Sequence, residues 1–471
     1  MNKPAIRNLG VAALTLAVVA ACAGLQETEP GPAVSEPMTT TTPPAAAPIN
    51  PPVDNCNITP PTTAITTALL TTGLPCDAQL VPPFKGPGAL ANVQHGFDYY
   101  SWLTFIALNA PAEGQAPSPG SDTRTQWEDW KEVSDIMLAD GATPTAWDAP
   151  RVIPPACRGI AGADQKRIVR RFSLNKTVTS EIDQPFDTGP LIDQNGNYVR
   201  YELLVNKPMF EYIVQNGLYS KSGQKAFTGG VVFPEGADTT GSNGTMGAIM
   251  VKAAWKVMGA GDDPSRFHTV DALAYNPPST NPTVEESCTA VTLGLVGWHA
   301  AHKTDGAPQW IWSTFEQVDN VPDNAIALGG KVNPHYNFYA SAKAGQPVNE
   351  PPPRPWNPNV QPFPNGFTSQ ITRITPLTSA TVKLNTAFQG ILAGTVWPNY
   401  ELISTQWPTN PTSPTDPNGA PAPLFLANTT LETYSQGEVP KSSSSCMDCH
   451  GDATDTTGRD SDFTFILERA Q

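Results

Sequence analysis

Alternating apolar and polar positions mark the middle of this chain as strand-forming. Ile249, Val251, Ala253, Trp255 and Val257 alternate with Met250, Lys252, Ala254 and Lys256, the period-two pattern of a half-buried strand. The runs from Thr289 to His302 and from Gln309 to Val318 have the same character. A different period appears earlier. Thr125-Gln126-Trp127-Glu128 has the spacing of a helix capping box, and Trp127, Trp130, Val133, Ile136 and Met137 recur at helical intervals, so a short amphipathic helix is predicted there. Its tryptophans read as core anchors, because a large ring is an efficient way to bury area. Asn276-Pro277-Pro278 and Glu350 through Pro353 separate these runs as loops. The pattern predicts an α+β body with an antiparallel β-sheet core, short helices and long Pro-rich loops.

The first residues follow another logic. Lys3 and Arg7 precede an apolar run from Leu9 to Ala21, and Val19-Ala20-Ala21 leads into Cys22, which is the build of a secretory signal. The run is shorter than the roughly 20 apolar residues of a lasting transmembrane helix. Leu25 to about Val81 is rich in Pro, Thr and Ala and reads as an extended tether. The chain holds 50 prolines in 471 residues, about twice the usual share of roughly 5%, so long loops are expected throughout. The predicted organisation is a leader over 1–22, a tether over 23–81 and a body over 82–471.

Charge narrows the partners. With 28 basic and 43 acidic residues, a net of −15, the chain lacks the electrostatic footprint of a nucleic-acid binder. An acidic surface suits solubility first and a basic soluble redox partner second.

The strongest chemical signal lies near the C-terminus. Cys446-Met447-Asp448-Cys449-His450 is the C-x-x-C-H pattern by which haem is attached covalently. Two thiols at that spacing reach the two vinyl groups of one porphyrin, and the adjacent histidine then gives its imidazole to the iron from the proximal side. The cofactor predicted is one haem c. A zinc site would need a second C-x-x-C, and the chain has none. Four further cysteines, Cys56, Cys76, Cys157 and Cys288, allow three pairings into two disulfides; neighbourhood favours Cys56 with Cys76 and Cys157 with Cys288.

Only Gly451 to Gln471 follow His450, without Met or His, so a second axial ligand of either type must come from upstream. The haem must then dock, through the C-terminal segment, on a body built from the preceding chain. The upstream histidines are His95, His268, His299, His302 and His335. His299 and His302 stand out in Trp298-His299-Ala300-Ala301-His302-Lys303, between an apolar and an aromatic stretch. If Leu295 to Lys303 is a strand, His299 shares a face with Leu295, and His302 shares the other with Val296 and Trp298. His299 is the candidate distal ligand, with Met250 and Met258 behind it; otherwise the iron is five-coordinate. Glu316 and Asp319, beside Trp310 and Trp312, are the candidate proton-handling acids for haem enzymology. Their structural alternative is capping of backbone amides at a strand end.

Several segments resemble known families. Val19-Ala20-Ala21-Cys22 resembles the lipobox of bacterial lipoproteins, which implies a lipidated Cys22 and a membrane anchor at the cell envelope. Trp102 to Asn109, Trp310 to Pro322 and Leu426-Ala427-Asn428-Thr429-Thr430, followed by the haem motif, resemble a largely uncharacterised family of exported bacterial monohaem proteins; this implies haem binding. A looser similarity is to the small β-sheet cytochromes that oxidise hydroxylamine and to their gas-binding relatives. These also carry a far C-terminal C-x-x-C-H followed by an acidic residue and an aromatic strand, a place taken here by Asp462 to Leu467. Arg200-Tyr201 with Asn206, Val231 to Ala237, and Ile249 to Lys256 look like that fold's strand, turn and strand, with an insertion from Asp238 to Met246. In the hydroxylamine-oxidising members a lysine is bonded to the haem edge, and Lys252 and Lys256 are the two lysines to examine. The expectation is a cell-envelope cytochrome with one haem c, acting in electron transfer; the alternative is a haem-dependent oxidase or peroxidase, or a gas-binding protein.

Overall fold

In the computed structural model, residues 65–71, 73–75, 89–112, 124–170, 188–237, 245–280, 283–323, 335–353, 367–411, 417–437 and 444–471 are described. Cys22, Cys56 and Cys76, the expected leader, the first part of the expected tether and most of the insertion after residue 237 lie outside the described residues. The strands are β1 (Lys131–Glu132), β2 (Arg167–Arg170), β3 (Arg200–Val205), β4 (Ile249–Val257), β5 (Thr269–Asn276), β6 (Ser279–Thr280), β7 (Thr283–Val284), β8 (Ser287–Thr304), β9 (Ala307–Gln317), β10 (Tyr400–Pro408) and β11 (Pro421–Ala422). The helices are α1 (Ala89–Leu108), α2 (Lys207–Gln215), α3 (Lys221–Ala226), α4 (Ser379–Ile391) and α5 (Cys446–His450). Nine strands form one sheet in the order β1-β3-β4-β8-β9-β10-β11, with β5 also on β8 and β2 beyond it. Every pairing is antiparallel except β2 with β5. The α+β class with an antiparallel core is therefore the observed architecture.

The strands predicted at 249–257, 289–302 and 309–318 are β4, β8 and β9, and they are adjacent in the sheet. The expectation that β4 is half-buried is corrected, for both of its faces are covered. Ile249, Val251, Ala253 and Trp255 pack with α1 and α4, whereas Met250 joins the core that holds Met447 and Phe463. Two covering layers also explain why α1 escaped the periodicity reading. From Phe97 to Leu108 it is buried on nearly every side, so it has no polar stripe to reveal a helical period.

The helix expected from Thr125 is replaced by two 3₁₀ turns, Gln126–Asp129 and Val133–Asp135, with β1 between them. The capping box forms, but Trp130 turns extended (ψ 165°), and Lys131 and Glu132 pair with Val205 and Leu204. The sheet edge outcompetes the helix, and all five apolar residues are still buried. At the other boundary, Thr67–Thr71 forms a 3₁₀ turn, Leu74 is fully buried, and Ile65, Leu69 and Leu70 pack on the core of α1. The apolar run around Leu69 and Leu70 therefore packs on the body although it falls within the span expected as tether. No described helix is long and apolar enough to cross a membrane.

Cys157 and Cys288 form a disulfide, as neighbourhood favoured, closing a sequence separation of 131 residues. A loop of that length gives the unfolded chain much to lose on cross-linking. Replacing both by alanine is expected to lower unfolding stability in urea by roughly 4 kcal/mol; an unchanged midpoint would show that the unfolded chain is already constrained there.

Candidate haem site

The motif occupies α5, where positions i, i+3 and i+4 put Cys446, Cys449 and His450 on one face. Three contacts fix the start of this short helix. Ser445 Oγ accepts from Asp448 N (3.3 Å), and Gln406 of β10 accepts from Met447 N (2.8 Å) and donates to Ser445 Oγ (3.2 Å). Met447 is buried among Trp310, Trp312, Met250 and Ile466. The sheet register builds the floor beneath it: Met250, Ala301, Trp312 and Gln406 lie side by side across β4, β8, β9 and β10.

His450 is held on two sides. Its ring lies 4.5 Å from the Trp312 ring and 5.2 Å from that of Phe465. Nδ1 stands 2.9 Å from the Phe463 carbonyl oxygen, which can only accept, so Nδ1 carries the proton. Nε2 is thereby left with its lone pair, the tautomer that a metal-bound imidazole needs. Burial lowers the His450 pKa to about 4, so the ring is neutral at physiological pH.

Both motif cysteines are half-buried thiols. Burial, aided by the Glu432 carboxylate, pushes the Cys446 thiol up. A C-x-x-C redox pair works through a thiol of depressed pKa, so this environment disfavours that alternative. Among the described residues no group of three His, Cys, Asp or Glu side chains could hold a metal ion by itself. A porphyrin brings four nitrogens of its own, so two thiols and one unprotonated imidazole nitrogen are a sufficient donor set for it.

A second row of side chains lies beside the first. Lys252, His299 and Thr314 are register partners across β4, β8 and β9. Glu432, from the loop after Asn428, reaches over them: its carboxylate is 3.0 Å from His299 Nε2 and 3.7 Å from Lys252 Nζ. It also accepts from Asn428 N at 3.0 Å. Despite burial, His299 and Lys252 hold the Glu432 pKa down at about 2. His299 Nδ1 meets the Thr314 hydroxyl, so both ring nitrogens are engaged and neither is offered to an iron in this arrangement.

His302 points the other way. The Tyr100 hydroxyl of α1 is hydrogen-bonded to its Nδ1 (2.6 Å), and burial drives its pKa to about 3. The histidines do lie on opposite faces and His302 does share one with Trp298, but a β-bulge exchanges the expected places of Leu295 and Val296. Trp255 pairs with Leu295 and Ala254 with Gly297, so Val296 is an extra residue that reverses the alternation beyond it. His302 consequently shares the α1 face with Leu295, Trp298 and Ala300, and His299 takes the face of the haem motif. His268 is bound to Glu128 and stacked on Trp397 in the α1 core.

The candidate acids do not act as free proton-handling groups. Glu316 is fully buried; Thr429 N and Oγ1 donate to it at 2.6 Å each, and Arg373 Nη2 at 3.2 Å. It anchors the loop that carries Glu432. Gly297 lets that loop approach, since a Cβ there would stand 2.0 Å from Thr430 Oγ1. Asp319 pairs with Arg266 (2.5 Å) and accepts from Gln317 Nε2 (3.1 Å) at the end of β9. Glu316 thus takes a structural role that includes accepting a backbone amide, whereas Asp319 is held by side chains alone in these bonds. Of the two lysines, Lys256 is buried against Asp262 (2.5 Å), and Lys252 is the one beside the motif. Glu432 and Thr314 were not foreseen; Glu432 is 133 residues from His299 in sequence, and no local pattern links them.

No protein-family model, curated protein or solved structure matches this chain.

Proposed function

We propose that the protein is a monohaem c-type cytochrome of the cell envelope, lipid-anchored through Cys22, that transfers electrons. The observation that carries this reading is the bond from His450 Nδ1 to the Phe463 carbonyl, on a helix that gathers Cys446, Cys449 and His450 on one face. Bound haem supplies a one-electron couple. Cys446 and Cys449 would tether it through thioether bonds, and His450 would offer its Nε2 lone pair as the proximal ligand, with Trp312 and Phe465 flanking the ring. The net charge of −15 suits a basic redox partner.

A second reading, haem-dependent oxidation or gas binding, is favoured by the row of Lys252, His299 and Glu432. These groups can hold and move a proton, and His299 is bonded at both nitrogens. Absorption spectra of the matured protein, oxidised and reduced, with and without carbon monoxide, separate the two readings. Haem c bands that carbon monoxide shifts would show an open site and favour the second reading, to which the engaged His299 nitrogens and the Met250 sulfur, accepting from Thr464 Oγ1 at 3.1 Å, lend support. Low-spin bands unmoved by carbon monoxide would mean that a second ligand is recruited and would leave electron transfer alone standing. Absence of haem bands would overturn both readings.

A further inference from the structure

We propose that Lys303 and Asp462 form a buried clamp that positions His450 by holding the Phe463 carbonyl against its Nδ1; this rests on the reading of His450 as the proximal ligand. Asp462 and Phe463 are consecutive non-glycine residues in the left-handed region, with φ of 56° and 64°. That conformation is unfavourable for any residue with a Cβ, less so for aspartate than for a bulky ring. The expected strand over Asp462 to Leu467 is corrected here: the left-handed pair reverses the chain, and a 3₁₀ turn, Phe465–Arg469, follows. This reversal places the Phe463 carbonyl 2.9 Å from His450 Nδ1 and the Phe463 ring in the core beside Trp312.

Something must keep two residues in an unfavourable conformation, and Asp462 supplies it. Its Oδ2 accepts from Lys303 Nζ at 2.5 Å and from Phe233 N at 2.6 Å, while its own N–H donates to Asp460 Oδ1 at 2.7 Å. Lys303 is almost wholly buried, with its backbone tied at both ends: its N–H donates to Ala248 O and its carbonyl accepts from Gly236 N, each at 2.9 Å. A buried ion pair adds little net stability over apolar packing. Here it fixes a turn whose carbonyl faces the iron ligand. That hydrogen bond gives the imidazole anionic character and makes it a stronger donor, which favours the oxidised iron.

The test is made on the full haem-loaded protein, by NMR of the exchangeable His450 Nδ1 proton and by redox titration. In Asp462→Ala, solvent exchange of that proton is expected to quicken about tenfold, the factor that corresponds to one positioned hydrogen bond. Lys303→Met should quicken it in the same sense. Asp462→Asn should keep the wild-type rate, because asparagine tolerates the left-handed region and still accepts from both donors. The asparagine variant also removes the same charge as alanine, so the higher midpoint potential expected for Asp462→Ala over Asp462→Asn reads the hydrogen bond alone. A folded, haem-loaded Asp462→Ala with wild-type exchange overturns the clamp and leaves the haem reading standing. Wild-type protein without covalent haem overturns both.

Discussion

Cys446→Ala combined with Cys449→Ala yields a folded protein with no covalently bound haem, the largest change expected of any substitution in this chain. The two thiols are the only groups on α5 that can form bonds to a porphyrin's vinyl carbons, so their loss removes attachment outright. Folding survives because the anchors of α5 lie elsewhere: Met447 inside the apolar cluster, and Gln406 on the Met447 amide and on Ser445. Alanine is also the best helix former for the vacated positions. The check is haem staining on a denaturing gel with intact mass, for both proteins made in a host that matures c-type haem. Wild type should carry one haem per chain and the double variant none. Haem that survives denaturation in the variant would place attachment on another residue.

How far the site was legible in the sequence depended on the distance between cooperating residues. Cys446, Cys449 and His450 lie within one turn and a half, so spacing alone puts them on one face. The strands β4, β8 and β9 were legible for the same reason, each repeating a local pattern. His299 was legible as a candidate, but its face was assigned from unbroken alternation, and the single extra residue Val296 reversed it. Bulges follow from pairing with a neighbouring strand, which a lone segment does not reveal. Glu316 and Asp319 had the composition of catalytic acids, yet their partners Arg373, Thr429 and Arg266 come from distant segments and turn them into anchors. The left-handed pair Asp462 and Phe463 carries no glycine to announce it. Tertiary bonds impose that conformation, and they are visible only once β8 and the C-terminal segment are side by side.

Acid is expected to act on this protein in two opposite stages. Burial raises the carboxyls of Asp98 and Asp193 to about 6, against the hydrogen bonds that each accepts. A carboxyl with a raised folded pKa holds a proton that the unfolded chain does not. Stability therefore rises as pH falls from about 6 towards 4, the ordinary carboxylate value. Glu401 and Asp462 are raised too and act in the same sense. His302 works against them: its folded pKa near 3 means that the unfolded chain binds the extra proton below about 6.5. Below pH 4 the first gain is complete. Glu432, ionised in the fold down to about pH 2, then joins His302, since its unfolded form is protonated below about 4.5. Glu128, lowered by His268 and Arg167 despite burial, acts in the same sense, so at least two protons taken up on unfolding give a slope of about 2.7 kcal/mol per pH unit or more. Urea unfolding of the matured protein at pH 4 and pH 3 should thus differ by at least roughly that amount, and in Glu432→Gln by about 1.4 kcal/mol less. An equal fall in the variant would show that Glu432 is already protonated in the folded protein, and that its contacts with His299 and Lys252 are not those of a carboxylate.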